Sequence, residues 1–316
     1  MLGKNKFRVL LVALSIFASS TLPEAHAGGA IEVKYTAPGI HAVTVALNSQ
    51  CCDHRGYRYD LYYPTDLPTG GPYPLIAWGN GTFAVSTGVS YFLRHVVSHG
   101  FVIVATRDRF TGDGTTIWDS VRFMLQANSD PSSIFFNKID IGHIGAIGHS
   151  QGATGVIRAM VSSNGKITTV IPIELPGQQF CFCAPSQELD TKIITQGSVF
   201  FVDGSNDIPI SPPIQLPPPL QVGEQSLAAF YAAVPNGVPK VTATLNGPTH
   251  NDITGQPGCD TATAVPCLVG VYGYLGYPTA WMADRLGLDP SAHAAFVNGT
   301  GEIFSSHWGF VQSNVQ

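Results

Sequence analysis

Charged side chains are scarce in this chain of 316 residues: Asp, Glu, Lys and Arg make up 12% of it, against a usual ~25%. Apolar residues still make up 44%, so the chain can bury a hydrophobic core and intrinsic disorder is excluded. The net charge is −5 and the sequence has no cluster of Lys and Arg, which argues against a nucleic-acid partner. Internal repeats are absent as well, which excludes a solenoid.

Long hydrophobic runs are also missing. Beyond the N-terminus no apolar run reaches the ~18 residues that a membrane-spanning helix needs. Within residues 1–27, three basic residues precede an apolar stretch over 9–18, and small residues follow (Lys4, Lys6, Arg8, Ala25 and Ala27). This pattern predicts a secretion signal peptide that is cleaved after residue 27; the alternative is a membrane anchor that stays in place. We therefore expect an extracellular or periplasmic protein.

Cysteine is infrequent, with six residues, all beyond residue 27. In the oxidising environment of an exported protein these thiols are expected to form disulfides. The Cα atoms of the neighbours Cys51 and Cys52 would lie ~3.8 Å apart, below the usual disulfide range of about 4.4–6.8 Å. Each is therefore expected to pair elsewhere, for example with Cys181 or Cys183. The remaining two cysteines flank a short loop and form the best single pair (Cys259 and Cys267).

Metal-ligand spacings are scarce too. The sequence contains no CxxC pair, and its nearest approach to a zinc site is Cys181-Phe182-Cys183 together with several histidines. We therefore expect neither a metal nor an organic cofactor.

The hydrophobic pattern predicts an α/β fold. Residues 41–47 and 57–63 alternate with a period of two, which is typical of antiparallel, half-buried strands. Further on, apolar runs alternate with helical segments, which indicates a mostly parallel sheet with helices on both faces. The predicted strands are 74–78, 101–105, 144–147, 168–173, 198–202 and 241–245, and the predicted helices are 88–98, 116–128, 151–161, 224–233, 275–286 and 290–296. This is the layout of an α/β-hydrolase, in one domain over residues 28–316 with a proline-rich surface loop at 208–221.

The motif Gly148-His149-Ser150-Gln151-Gly152 matches G-x-S-x-G. Alone the match is weak, but it directly follows a predicted strand and directly precedes a predicted helix, the setting of a nucleophile elbow. Ser150 would then lie near a helix N-terminus, where free N–H groups favour developing negative charge. The alternative is a structural serine in a glycine turn.

A serine nucleophile needs a base and an orienting acid, which in this fold follow in the order Ser, Asp or Glu, His. His250 lies in a turn just beyond the last predicted strand, where a loop can bring it over Ser150. The runner-up is His307, and His293 falls in a helical pattern.

The orienting acid follows the predicted strand 198–202. Asp207 lies in the loop beyond that strand and can reach an imidazole more easily than Asp203, which closes the strand. Asp203 remains the alternative.

The oxyanion hole and the substrate cleft complete the candidate site. The N–H of Gln151 is one expected oxyanion donor, and Thr82 or its neighbour Phe83 is the other. The side chains expected to line the cleft are apolar (Phe83, Leu175 and Phe180, with Phe110 or Trp118 as further candidates).

Several segments of the sequence resemble the polyesterase–lipase–cutinase group, which includes bacterial cutinases and poly(ethylene terephthalate) hydrolases. The similar segments are 73–82, 98–105, 139–145, the elbow motif, 204–207 and 245–250. The resemblance implies an α/β-hydrolase fold, the triad Ser150, Asp207 and His250, and an oxyanion hole formed by the N–H groups of Thr82 and Gln151.

The sequence departs from that group around the substrate. Those polyesterases usually have an aromatic residue in the oxyanion loop and a methionine after the nucleophile, where this chain has Thr82 and Gln151. They also carry a tryptophan after the strand that follows the elbow helix, and residues 174–180 contain none. We therefore expect aliphatic esters and polyesters to be cleaved better than terephthalate esters.

The sequence thus predicts a secreted serine ester hydrolase, a monomer acting on short-to-medium acyl esters, lipids or polyesters. One alternative is an esterase or deacylase for small soluble esters. Another is a non-catalytic binding protein with a hydrolase fold, which the presence of all three triad candidates disfavours.

Overall fold

The computed structural model describes residues 29–181, 189–208, 210–255 and 268–316. Within these ranges nine strands form one sheet. The strands are β1 Val43–Gln50, β2 Tyr59–Pro64, β3 Tyr73–Gly79, β4 Val102–Thr106, β5 Ile139–His149, β6 Thr169–Ile173, β7 Ser198–Gly204, β8 Lys240–Leu245 and β9 Trp308–Ser313.

In the same described ranges, six α-helices accompany these strands: α1 Ala30–Thr36, α2 Ser90–Ser98, α3 Thr115–Ser129, α4 Gln151–Ser162, α5 Leu227–Ala233 and α6 Gly276–Arg285. Short 3-10 helices lie at Ser86–Val89, Gln178–Phe180, Thr191–Ile193, Asp252–Thr254, Val271–Tyr274, Pro290–Ala295 and Glu302–Ser305. Across the described ranges, no helix combines the length and the apolar character that crossing a membrane requires.

The strand order is β1-β2-β4-β3-β5-β6-β7-β8-β9. The strands from β4 to β8 pair in parallel, whereas β1, β2 and β9 pair antiparallel at the two edges. This order confirms the predicted α/β-hydrolase fold. It also brings the carboxyl ends of β5, β6, β7 and β8 to one edge of the sheet, where ligands bind in open α/β sheets.

Both faces of the sheet are buried, each in its own hydrophobic cluster. Phe200 of β7 packs in the cluster that contains Trp281 of α6, while its neighbour Phe201 packs in the cluster that contains Ile157 of α4. Successive side chains of a strand point to opposite faces, so a strand that is covered on both sides reads as a continuous apolar run. This is why the central strands could be predicted from the sequence.

The differences from the predicted elements lie in exposed or short segments. Strand β5 begins at Ile139, earlier than the predicted 144–147; residues 140–143 are half-buried or exposed and do not form a continuous apolar run. Strand β9 and helix α1 were not predicted. β9 is an edge strand with mixed burial, and α1 has only seven residues.

The disulfide prediction for Cys51 and Cys52 is wrong. These two cysteines are joined to each other. The peptide bond between them is cis and their Cα atoms lie 3.1 Å apart, whereas the prediction assumed a trans bond. Cys181 is also disulfide-bonded. The predicted pair Cys259–Cys267, Cys183 and the predicted signal peptide lie outside the described residues.

Candidate active site

Ser150 occupies the sharp turn between β5 and α4. Its backbone has φ 55° and ψ −126°, in a region that non-glycine residues rarely adopt and that is found at functional sites. The Ser150 N–H donates to the carbonyl oxygen of Ile173, at the end of the neighbouring β6, at 3.0 Å. The turn therefore holds the Ser150 side chain at the carboxyl edge of the sheet.

Two glycines of the motif allow helix α4 to approach the sheet this closely. A Cβ atom at Gly148 would lie 2.2 Å from the carbonyl oxygen of Gly152, and one at Gly152 would lie 2.1 Å from the carbonyl oxygen of Gly79. No side chain fits at such distances, so the motif needs glycine at both positions.

The structure brings Ser150, His250 and Asp207 together. His250 Nε2 lies 2.8 Å from Ser150 Oγ, and His250 Nδ1 lies 2.7 Å from Asp207 Oδ2. Because an aspartate carboxylate only accepts hydrogen bonds, Nδ1 carries the proton and Nε2 is left to accept one from the serine hydroxyl. His250 and Asp207 are buried, at 8% and 2% exposure, so bulk water hardly competes for these bonds.

Asp203, the alternative acid, lies in β7 beside Thr244 of β8. It is fully buried, and its carboxyl oxygens find no hydrogen-bond partner among the described residues. Burial raises the pKa of Asp203 well above its ordinary value, which favours the protonated, uncharged form of this group. Of these two acids, only Asp207, which lies in the loop beyond the strand, contacts His250.

The two alternative histidines lie elsewhere. His293 Nδ1 is 3.2 Å from Asp284 Oδ2, and His307 Nε2 is 3.7 Å from Glu32 Oε1. Both histidines therefore contact acids other than Asp207 and Asp203.

The loop that carries His250 is held by Asp252, a residue that the sequence analysis missed. Its carboxylate accepts hydrogen bonds from the Thr249 N–H and hydroxyl, at 2.7 Å each, and from the N–H groups of residues 268–270. Burial opposes its ionisation, but these hydrogen bonds outweigh burial and lower the pKa of Asp252. The charged carboxylate thereby fixes the turn in which His250 lies.

The loop after β3 approaches Ser150 from the other side. The side-chain amide of Asn80 donates to the carbonyl oxygens of Thr106 and Asp108, at 2.7 and 2.8 Å, and so anchors the start of the loop. The Phe83 N–H donates to the carbonyl oxygen of Arg109 at 3.1 Å. Because this N–H is engaged, Phe83 is not a backbone donor for the site, and Thr82 is left as the candidate from this loop.

Ser150 opens into a cleft of about 480 Å³. Both oxyanion candidates line it, as do two of the three predicted substrate-binding residues. The lining residues are Gly81, Thr82, Phe83, Ala84, Gly88, His149, Ser150, Gln151, Pro176, Phe180, Ile210, His250, Asn251 and Thr254. The walls are mainly apolar, which suits an acyl chain.

The expectation for Leu175 has to be corrected. Its side chain is fully buried in one of the two hydrophobic clusters and does not line the cleft. Its neighbour Pro176 lines the cleft instead. Phe110 lies at the rim, with its ring 5.1 Å from that of Phe83 in a T-shaped pair, and Trp118 packs against the same cluster as Leu175.

A second buried acid, Glu174, lies below the candidate triad. Its Oε2 is 2.8 Å from His149 Nε2, and its Oε1 is hydrogen-bonded to the Tyr274 hydroxyl. Burial and then the charge of Asp207 raise the pKa of Glu174 well above its ordinary value, and burial lowers the pKa of His149. Glu174 was not predicted as part of the site from the sequence, although a glutamate that directly follows an apolar strand beside the elbow strand was a usable signal.

The ligand-type atoms of His149, Glu174 and His250 lie within 4.8 Å of one another, close enough to suggest a metal site. Both nitrogens of His250 are already hydrogen-bonded, however, to Ser150 and Asp207, and His149 Nε2 donates to Glu174. We therefore describe the cluster as a hydrogen-bond network.

Comparisons with known proteins agree with this fold. Residues 32–185 match the PET hydrolase-like family. Two proteins of Thermobifida alba, cutinase est2 and cutinase est1, are each 28% identical to this chain over 118 residues. These alignments cover 36% of this chain but only 37% and 38% of the two cutinases, little more than a third of their length. The fold is that of an α/β-hydrolase, and over these segments the chain is similar to the PET hydrolase-like family and to two cutinases.

Proposed function

We propose that this protein is a secreted serine carboxylic ester hydrolase that works through an acyl-enzyme on Ser150. The observation that carries the proposal is the unbroken hydrogen-bond chain from Ser150 through His250 to Asp207, with distances of 2.8 and 2.7 Å. The same constellation performs acyl transfer on unrelated folds. The PET hydrolase-like match and the cutinase relatives support the same chemistry.

The mechanism follows from the proton positions. His250 Nε2 takes the proton of the Ser150 hydroxyl as Oγ attacks the ester carbonyl carbon, and Asp207 stabilises the imidazolium that forms. When the tetrahedral intermediate collapses, the ester C–O bond breaks and His250 gives its proton to the leaving alcohol. Water then attacks the acyl-enzyme by the same route and releases the carboxylic acid.

The negative charge of the tetrahedral intermediate needs donors on its oxygen. In our proposal these are the N–H groups of Thr82, from the loop after β3, and Gln151, the first residue of α4. Gln151 lies at a helix N-terminus, whose dipole favours an anion. Fixed donors of this kind contribute about 10²–10³ each to turnover.

The substrate we propose is an ester with an aliphatic acyl chain, in a lipid, a polyester or a small ester. The cleft beside Ser150 offers aliphatic and aromatic walls from Phe83, Pro176, Phe180 and Ile210. We propose further that residues 1–27 are a signal peptide and that residues 28–316 form one catalytic domain, which acts as an extracellular or periplasmic monomer.

Hydrolysis of nitrophenyl esters of varied chain length tests the proposal. We expect the wild-type protein to turn these esters over and Ser150→Ala to lose on the order of 10⁶ in kcat. Ser129→Ala, at the exposed end of α3, is the matched control and should retain full activity. Equal rates for the wild type and Ser150→Ala would reject a serine ester hydrolase.

A further inference from the structure

Two carboxyl groups lie within 4 Å of the same imidazole nitrogen of His250. Asp207 Oδ2 lies 2.7 Å from Nδ1, and Glu174 Oε2 lies 3.8 Å from the same atom. Glu174 directly follows β6 and Asp207 lies in the loop after β7, and these two strands are parallel neighbours. The Glu174 carboxyl group is thus about 1 Å too far from Nδ1 to accept the hydrogen bond that Asp207 accepts.

Glu174 is held in this position from several sides. Its backbone has a φ of 53°, unusual for a side chain of this size, and its N–H donates to the Val202 carbonyl oxygen at 2.7 Å. The Tyr274 hydroxyl bonds Oε1. His149 Nε2 lies 2.8 Å from both Oε2 and the His250 carbonyl oxygen. Because a carbonyl oxygen only accepts, this nitrogen carries the hydrogen and donates.

The two acids cannot both be charged at low cost, because they are buried and flank one imidazole. Titratable groups face Glu174 from every neighbouring element (His149, His250, Asp207, Asp203, Asp252 and Tyr274). Burial and then the charge of Asp207 raise the pKa of Glu174, which favours the protonated form of this carboxyl group. Both carboxyl oxygens of Glu174 accept hydrogen bonds, Oε1 from the Tyr274 hydroxyl and Oε2 from His149 Nε2.

We propose that Glu174 is a positioning residue for His250, a reserve acid that orients the imidazole when the carboxylate of Asp207 is removed. In that case Glu174 releases its proton to solvent and its carboxylate moves about 1 Å to accept the Nδ1–H. The inference rests on the proposed function, because orienting His250 matters only if His250 is the base for Ser150.

The test removes Asp207 and then both acids. Asp207→Ala leaves space for Glu174 to approach, whereas an asparagine would fill that space and donate to Nδ1. We expect Asp207→Ala to lose about 10² in kcat and Asp207→Ala/Glu174→Gln to lose about 10⁴, the loss typical of a missing orienting acid. Asp207→Ala/Asp203→Asn is the matched control. It should behave like Asp207→Ala, since Asp203 is a buried protonated acid without a contact to His250.

A pH profile separates positioning from mere structural support. In Asp207→Ala the rate should rise at a higher pH than in the wild type, because Glu174 must first lose its proton. The double variant should lack this rise. If Asp207→Ala does not fold, as judged by thermal unfolding, Asp207→Ser carries the same comparison.

Two results overturn the inference: equal kcat values for Asp207→Ala and Asp207→Ala/Glu174→Gln, or a rise at high pH that persists in the double variant. Failure of the proposed function is a different result. In that case the wild-type protein itself would not turn over nitrophenyl esters faster than Ser150→Ala.

Discussion

Asp207 and Asp203 show how position at the end of a strand separates two similar side chains. Asp207 accepts a hydrogen bond from His250 at 2.7 Å, whereas Asp203 is enclosed in the sheet and kept neutral by burial. A difference of four positions in the chain thus distinguishes the acid that orients His250 from a buried structural acid. The sequence ranked Asp207 first for the same reason, because a loop carboxylate can reach an imidazole more easily.

These two acids give a prediction at the residue scale. Asp207→Asn should lose on the order of 10⁴ in turnover, because the asparagine amide favours the wrong tautomer of His250. Asp203→Asn replaces a neutral acid by a neutral amide of the same shape and should lose far less. Steady-state kcat on a nitrophenyl ester decides between them, and similar small losses from both changes would contradict the assignment of Asp207.

The element that positions the nucleophile is α4, which lies against the end of β3. Gly152→Ala would place a Cβ atom 2.1 Å from the Gly79 carbonyl oxygen, which belongs to the backbone and cannot rotate away. We expect this change to lower the free energy of unfolding by about 3 kcal/mol or more. Gly237→Ala is the control, since its Cβ would meet no atom within 4 Å. Urea unfolding measures both, and an unaffected Gly152→Ala would show that α4 has room to shift.

A second element-scale feature lies between the proline-rich loop and α5. Glu224 is buried there and accepts hydrogen bonds from the Thr191 N–H and hydroxyl, at 2.9 and 2.8 Å. Burial raises its pKa from 4.5 to about 7. Between these two values the unfolded chain has released a proton that the folded protein still holds. The folded state therefore loses stability as the pH rises through this range.

Glu224→Gln should remove that pH dependence, because glutamine offers Thr191 an oxygen acceptor without a charge. We expect the variant to match the wild type near about pH 4 and to be more stable by about 1–3 kcal/mol near pH 8. Urea unfolding at the two pH values provides the measurement. A constant difference between the two proteins at both pH values would place the effect in packing rather than in ionisation.

At the scale of the whole molecule, the elements that could be predicted from the sequence are those with a regular hydrophobic pattern. The central strands are apolar on both faces and separated by helical segments, so their order and the position of the G-x-S-x-G turn could be read directly. The features that could not be predicted from the sequence depend on contacts between residues far apart in the chain or on backbone geometry. Glu174 meets Tyr274 across 100 positions, Leu175 turns into the core beside it, and the cis bond between Cys51 and Cys52 leaves no local pattern.

The walls of the cleft are the product of the whole fold, and they support a prediction about substrates. The cleft takes Phe83 from the loop after β3, Pro176 and Phe180 from the segment after β6, and Ile210 from the proline-rich loop. Phe83 is 69% exposed and meets Phe110 edge to face, with an interplanar angle of 80°. An exposed ring that is paired edge to face in this way does not by itself sandwich an aromatic substrate ring, while the aliphatic groups of the cleft suit an acyl chain.

We therefore expect a higher kcat/KM for a nitrophenyl butyrate than for a terephthalate diester. Burying an apolar side chain of ligand size is worth about 1.5–3 kcal/mol, which is on the order of tenfold to a hundredfold in specificity. Ile210→Ala should lower kcat/KM for the butyrate more than for the terephthalate, since it removes an aliphatic wall only. Exposed Ile214→Ala in the same loop is the control. A clear preference of the wild type for the terephthalate would mean that Phe83 and Phe180 together grip a planar ring, and that the aliphatic side of the cleft contributes little to binding.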